Sequence, residues 1–237
     1  MSVIIPAILP SSLEDLQEKL TKLSGVAEEV QIDIVDESLG VTATWPFIGG
    51  NTKTHLESNA LSELGPFRFE VDLMVRNPEQ VVGDWIHAGA TRITIHVEMA
   101  HELPKLIQDF QTTYGHDKDF APDLLSFGLA INVATDASLL GPYLTRCDYV
   151  QFMGIEHIGK QGQPFDRRVL SKINSFHKKF PNIPLQVDGG VSLQTAPDLL
   201  RAGVSKLVVG SALGRTGNVK EEYRKFQSLS EMYGLYT

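Results

Sequence analysis

The fold is decided by FEVDLMVRNPEQVVGDWIHAGATRITIHVE, residues 69–98. The segment begins inside a β-rich run, Arg68–Val75. Asn77 stands at a helix N-cap position, and Pro78 suits the first helical position because an amide hydrogen there has no partner inside the helix. The amphipathic stretch Pro78–Ala88 follows, and Gly89 sits where that helix must stop. A second β-rich run, Thr91–Val97, begins almost at once. Strand, helix, glycine and strand within about 30 residues make the βαβ unit of a parallel sheet.

The unit recurs on both sides. Strands are expected at Val3–Leu9, Glu29–Val35, Arg68–Val75, Thr91–Val97, Ser126–Asn132, Tyr149–Met153, Leu185–Asp188 and Lys206–Val209. Between them helices are expected at Leu13–Leu23, His55–Leu64, Pro78–Ala88, Ala100–Thr113, Ala137–Leu144, Asp166–Phe180, Thr195–Ala202 and Val219–Met232. Ser11 or Ser12 caps the first of these. SGV at Ser24, AGA at Ala88 and AGV at Ala202 each join a helix to a strand through a glycine. Eight such units predict a (β/α)8 TIM barrel, one domain over residues 1–237. A doubly wound open sheet shares the local pattern, but no Gly-x-Gly-x-x-Gly follows the first strand. The two long loops are Asp36–Thr54 and Tyr114–Asp123.

Composition narrows the function. The 237 residues allow a sizeable core. Net charge is −8, without a basic cluster, which disfavours nucleic acid and anionic membrane surfaces as partners. A single cysteine, Cys147, excludes an intrachain disulfide framework and a Cys-rich zinc site. MSVIIPAILP lacks a basic leader and carries two prolines, so it reads as a strand and not a signal peptide. No apolar run reaches membrane-spanning length. A cytoplasmic, reducing location is expected.

Residues two apart on a strand share a face, and the inward carboxyl ends of barrel strands build the site. Gln31, Asp33 and Val35 share a face, as do Glu70, Asp72 and Met74, His96 and Glu98, and Gln186 and Asp188. Asp33, Asp72, His96 and Asp188 are therefore expected at one mouth. One aspartate at a strand end is often only a helix cap. Three at three strand ends cannot all stay ionised without a cation, a shared proton or separation. No Lys or Arg is expected on the same faces, so a divalent ion or a raised-pKa acid is implied.

VDGGV (Val187–Val191) ends the seventh strand and VVGSAL (Val208–Leu213) the eighth. Loops at these places in barrels bind phosphate through backbone N–H groups, with glycines allowing close approach. Gly189, Gly190, Gly210 and Ser211 are the expected phosphate cradle. Gly162, in the sixth-strand loop GIEHIGKQGQPF (Gly154–Phe165), is expected to close over it.

These pieces resemble the ribulose-phosphate 3-epimerase family, from IIPAIL at Ile4 to VVGSAL at Val208. VQIDIVDE, FEVDLMVRNPEQ, AGATRITIHVE, LAINVAT, QGQPF and LQVDGGV carry the likeness. The resemblance implies epimerisation at C3 of a ketopentose 5-phosphate by two aspartates, matched here by Asp33 and Asp188, with a divalent metal steadying the enediolate. It makes His96 a supporting residue behind the site. Where the family carries two metal-binding histidines, this chain has Gln31 and Asp72. The first-strand serine is Ala7, and VDESLGVTATWPF (Val35–Phe47) replaces the usual loop after strand two. The implied ligands are then Asp33, Asp72, Asp188 and Gln31, an all-oxygen set that either favours Mn or Mg over Zn or leaves the site without a metal.

A phosphosugar-binding barrel without epimerase activity, with a regulatory or assembly role, is the rival reading. Related decarboxylases and synthases carry Asp-x-Lys-x-x-Asp on the third strand, and that lysine is absent here. A small phosphorylated sugar and a homo-oligomeric assembly are the expected partners. His55, His87, His101, His116, His157 and His177 are expected to face solvent. Trp45 is either a lid over the substrate or a packing residue.

Overall fold

The computed structural model describes residues 3–50, 56–116 and 124–234. Eight parallel strands close into a barrel in chain order: β1 (Val3–Ile8), β2 (Glu29–Val35), β3 (Arg68–Met74), β4 (Arg92–His96), β5 (Ser126–Ile131), β6 (Tyr149–Met153), β7 (Leu185–Asp188) and β8 (Lys206–Val209). β1 closes the ring against β8, with Ile4 paired to Leu207 and Ile5 to Val208. The open-sheet alternative is thereby excluded.

The α-helices of the described residues are α1 (Leu13–Leu23), α2 (Val82–His87), α3 (Leu103–Thr112), α4 (Arg168–Lys179), α5 (Ala196–Arg201), α6 (Ser211–Gly214) and α7 (Val219–Tyr233). Ser12 caps α1 by accepting from the Asp15 amide. Asn77 makes no side-chain cap; a 3-10 turn, Pro78–Gln80, precedes α2 instead. Ala60–Leu64 and Ala137–Tyr143, expected as α-helix, are also 3-10. In the second, Gly141 and Pro142 weaken helix and remove a donor. The first is bounded by Asn59 at φ 61° and Gly65 at φ 145°, and His55 lies outside the described residues.

The strands alternate in an inverted sense. Val30, Ile32, Ile34, Phe69, Val71 and Leu73 point outward and pack with Leu16, Leu20, Trp85, Phe110, Ile173 and Phe226 of the helical shell. Gln31, Asp33, Glu70, Asp72, Thr94, His96, Gln151 and Gln186 are buried inside the barrel. Branched apolar side chains usually fill that space. A polar filling holds only if its groups satisfy one another.

At the amino end they do. Lys206 Nζ donates to both oxygens of Glu29 at 2.7 and 2.9 Å. Arg92 Nε lies 2.8 Å from Glu29 and 2.9 Å from Glu70. The Arg92 guanidinium stacks 4.0 Å over the Tyr149 ring, a cation–π contact. That ring occupies the space beside Gly128 where any side chain would collide. The expectation of no cation on the inward faces is thus corrected. Arg92 shares the face of Thr94 and His96, but it and Lys206 neutralise Glu29 and Glu70 at the floor, so among the described residues no arginine or lysine pairs with the acids at the mouth.

Candidate active site

Asp33 and Asp72 are paired across β2 and β3, and Asp188 is paired with Met153 across β7 and β6. One carboxylate oxygen from each of Asp33, Asp72 and Asp188 lies within 4.8 Å of the others. All three are buried, and His96 behind them is fully buried. The four residues expected at one mouth do meet there. Glu98 does not join them: it is exposed and accepts from the Asn132 amide at 2.9 Å.

The electrostatics follow from burial. Loss of solvent, with the charges of Asp188 and Asp72, raises Asp33 well above the carboxylate range. Burial and Asp72 push Asp188 up to about 7, against donation from Gly189 and the charge of His96. Burial disfavours charge on His96, but Asp72 outweighs it and raises that pKa. His96 Nε2 is 3.2 Å from Asp72 Oδ1, yet the approach is not aligned as a hydrogen bond. Asp72 Oδ1 and both ring nitrogens of His96 are buried without a protein hydrogen bond.

Three converging carboxylates, one with an oxygen lacking any donor, suit a hard divalent cation. The fourth expected ligand faces the acids through its amide nitrogen. Gln31 turns its NH2 group to the acids, donating to Asp33 Oδ1 at 2.8 Å and Asp188 Oδ2 at 3.4 Å. An amide NH2 has no lone pair to offer a cation. Sequence reasoning missed Gln151, whose Nε2 donates to Asp72 Oδ2 at 2.8 Å. The two-residue period places it inward with Met153, and that was the available signal. It also missed Thr44, whose hydroxyl donates to the Asp33 carbonyl at 3.1 Å and accepts from the Val35 amide at 2.8 Å. Nothing in the local pattern marked that residue, which fastens its own segment to the end of β2.

The residues expected to cradle a phosphate lie around the same space. Gly189, Gly190, Gly210, Ser211 and Gly162 line a cavity of about 40 Å³ together with Asp33, Asp188, Met74 and Met153. Gly190 holds φ 68°, and a Cβ there would stand 2.7 Å from the Phe165 backbone. Gln161 reaches in beside Gly210 and Asp33.

Trp45 is not a lid. It packs edge-on against Trp85 of α2, ring centroids 6.0 Å apart, outside the barrel. His116 is buried, not exposed, and its Nε2 is 2.7 Å from Asp148, which also accepts from the Phe127 amide at 2.6 Å. His87, His101 and His157 are exposed and His177 is half-buried. Among the described residues no helix is long and apolar enough to cross a membrane.

The class defined by this fold and site is a closed (β/α)8 barrel with a buried acid cluster at its carboxyl mouth, flanked by glycine loops after β7 and β8. Within that class, the chain belongs to the ribulose-phosphate 3 epimerase family, whose model matches residues 3–214. It is 25% identical to the ribulose-phosphate 3-epimerase of Schizosaccharomyces pombe, over 89% of this chain and 86% of that protein. It is 27% identical to the ribulose-phosphate 3-epimerase of Escherichia coli K12, over 89% and 88%. The family and these names place the chain among isomerases acting on carbohydrate phosphates. In fold it is similar to the crystal structure of 3-keto-L-gulonate-6-phosphate decarboxylase from Vibrio cholerae, with a TM-score of 0.69 and 14% identity over 99% and 100% of the two chains.

Proposed function

We propose that this chain epimerises a ketopentose 5-phosphate at C3, with Asp33 and Asp188 as the acid–base pair. The observation that carries this is the meeting of those two aspartates at the mouth, both with raised proton affinity and both touched by the one Gln31 amide. A base is most effective when its pKa lies near the working pH, and Asp188 at about 7 meets that condition. One aspartate removes the proton at C3 and the other returns one to the opposite face. Met74 and Met153 supply an apolar wall, which limits water at the reacting carbon.

Asp33, Asp72 and Asp188 are the residues that would hold a divalent ion. Bound, it supplies positive charge that stabilises oxyanion character next to C3. The backbone N–H groups near Gly189, Gly190, Gly210 and Ser211 orient the phosphate. A cavity of about 40 Å³ is far below the roughly 300 Å³ or more of small-molecule sites. Gln161, which lines this space and a larger neighbouring cavity of about 590 Å³, stands between the two.

Incubation of D-ribulose 5-phosphate in D2O tests the reading. The expected result is deuterium at C3 with formation of the C3 epimer. Asp33→Asn and Asp188→Asn each abolish this, since a neutral amide accepts no proton. Wild-type protein that binds the sugar without exchange would support the non-catalytic rival.

A further inference from the structure

The barrel interior contains a hydrogen-bond chain whose direction is set at its floor. An Arg92 terminal nitrogen donates to Gln186 Oε1 at 3.1 Å. A guanidinium has donors only, so the Gln186 oxygen must face it and the Gln186 NH2 must face away. That NH2 has two hydrogens: it donates to Glu70 Oε1 at 2.6 Å and to Gln151 Oε1 at 2.7 Å, and Gln31 Oε1, at 3.3 Å, shares one of them more weakly. Both distal glutamines therefore have their oxygens toward the floor and their NH2 groups toward the mouth. There Gln151 donates to Asp72 at 2.8 Å, and Gln31 to Asp33 at 2.8 Å and Asp188 at 3.4 Å. Reversing either distal amide alone would set oxygen against carboxylate at the mouth and NH2 against NH2 below.

We propose that Arg92 and Gln186 are positioning residues: through this chain they fix the amide directions of Gln31 and Gln151, so that N–H donors face the three aspartates and hold their carboxylates in working orientation. The inference rests on the acid–base reading of Asp33 and Asp188 for its consequence, but the amide directions themselves can be read without activity. The chemistry favours this role over a purely structural one. An apolar filling would pack the barrel floor as well, whereas a directed amide chain also delivers donors to the mouth. The acids and cations touching it are Glu29, Glu70, Arg92 and Lys206 below and the three aspartates above.

The test is nitrogen-15 NMR of the glutamine side-chain amides, assigned with Gln31→Met and Gln151→Met. In wild type both NH2 groups are expected to be protected from solvent exchange. In Gln186→Met, close in size and unable to relay, both sets of resonances should move and protection should fall. With the ketopentose phosphate, kcat for deuterium exchange should drop roughly tenfold or more, the worth of a hydrogen bond to a charged group, while KM stays close to wild type. Adding Gln186→Met to the Gln31→Met, Gln151→Met double variant should cost little further activity, because both groups it acts through are already gone. Unshifted Gln31 and Gln151 resonances in folded Gln186→Met, or a lower melting temperature with kcat unchanged, would overturn the proposal. If Gln186→Met does not fold, freely exchanging amides at Gln31 and Gln151 in wild type overturn it equally. Wild type that shows protected amides but no deuterium exchange would instead defeat the epimerase reading and leave the amide directions standing.

Discussion

Asp188→Asn should make the metal-free protein more stable at alkaline pH while ending catalysis. Asp188 has its pKa raised from 3.8 to about 7 by burial and by Asp72. Between those values the folded state binds a proton that the unfolded state has released, so stability falls as pH rises across that window. Every tenfold difference in proton affinity between the two states is worth about 1.4 kcal/mol. At pH 8 the carboxyl is ionised in both states and the whole difference applies, costing about 4 kcal/mol. At pH 5 it is ionised only in the unfolded chain, and the cost is about 2 kcal/mol. The wild-type deficit relative to the amide should therefore widen by about 3 kcal/mol between pH 5 and pH 8. The charge of Asp188 also raises Asp33, so the amide relieves that neighbour as well and the direction of the change is the same. Urea unfolding of both proteins across that range, with EDTA present, measures it. A gap that stays constant with pH, or an Asn variant less stable than wild type at pH 8, would refute the reasoning. Adding Mn2+ should reverse the ranking, because a cation favours the ionised carboxylate.

Gly210→Asp places a carboxylate in the phosphate cradle, at a position where a Cβ would stand 2.6 Å from Gln161 Nε2; calorimetry should show loss of the phosphosugar with an unphosphorylated sugar unaffected. Asp72→His adds an imidazole to the acid cluster and should raise zinc affinity, while the native site prefers Mn2+ or Mg2+ in competition titrations; stoichiometric zinc in the native protein would contradict the oxygen-donor argument. Gly128→Ala drives a methyl into the Tyr149 ring at the barrel floor and should cost about 1–3 kcal/mol of unfolding free energy, read by denaturant titration.

Much of the architecture was legible because it rests on short-range rules. The βαβ periodicity of residues 69–98 recurs eight times, and the glycines that stop helices, Gly25, Gly89 and Gly203, all carry positive φ. The bounds of β2, β6, β7, β8 and α1 follow directly from composition and turn residues. The failures were local too. Pro142 turned a predicted helix into 3-10 structure, and Asn77 was passed over as a cap.

The site divides along a different line. The two-residue strand period alone placed Asp33, Asp72, His96 and Asp188 on inward faces at carboxyl ends, so their meeting needed only a closed barrel. What it could not supply was the partner of each side chain. Arg92 and Lys206 lie on inward faces as well, but only the three-dimensional register shows that they neutralise the floor and not the mouth. Which end of the Gln31 amide faces Asp33 depends on a guanidinium 61 positions along the chain, acting through Gln186. His116 is paired with Asp148 across 32 residues. Periodicity is a property of neighbours along the chain and can be read from letters. Hydrogen-bond direction and charge compensation belong to groups brought together by closure of the barrel, and the tertiary structure alone decides them.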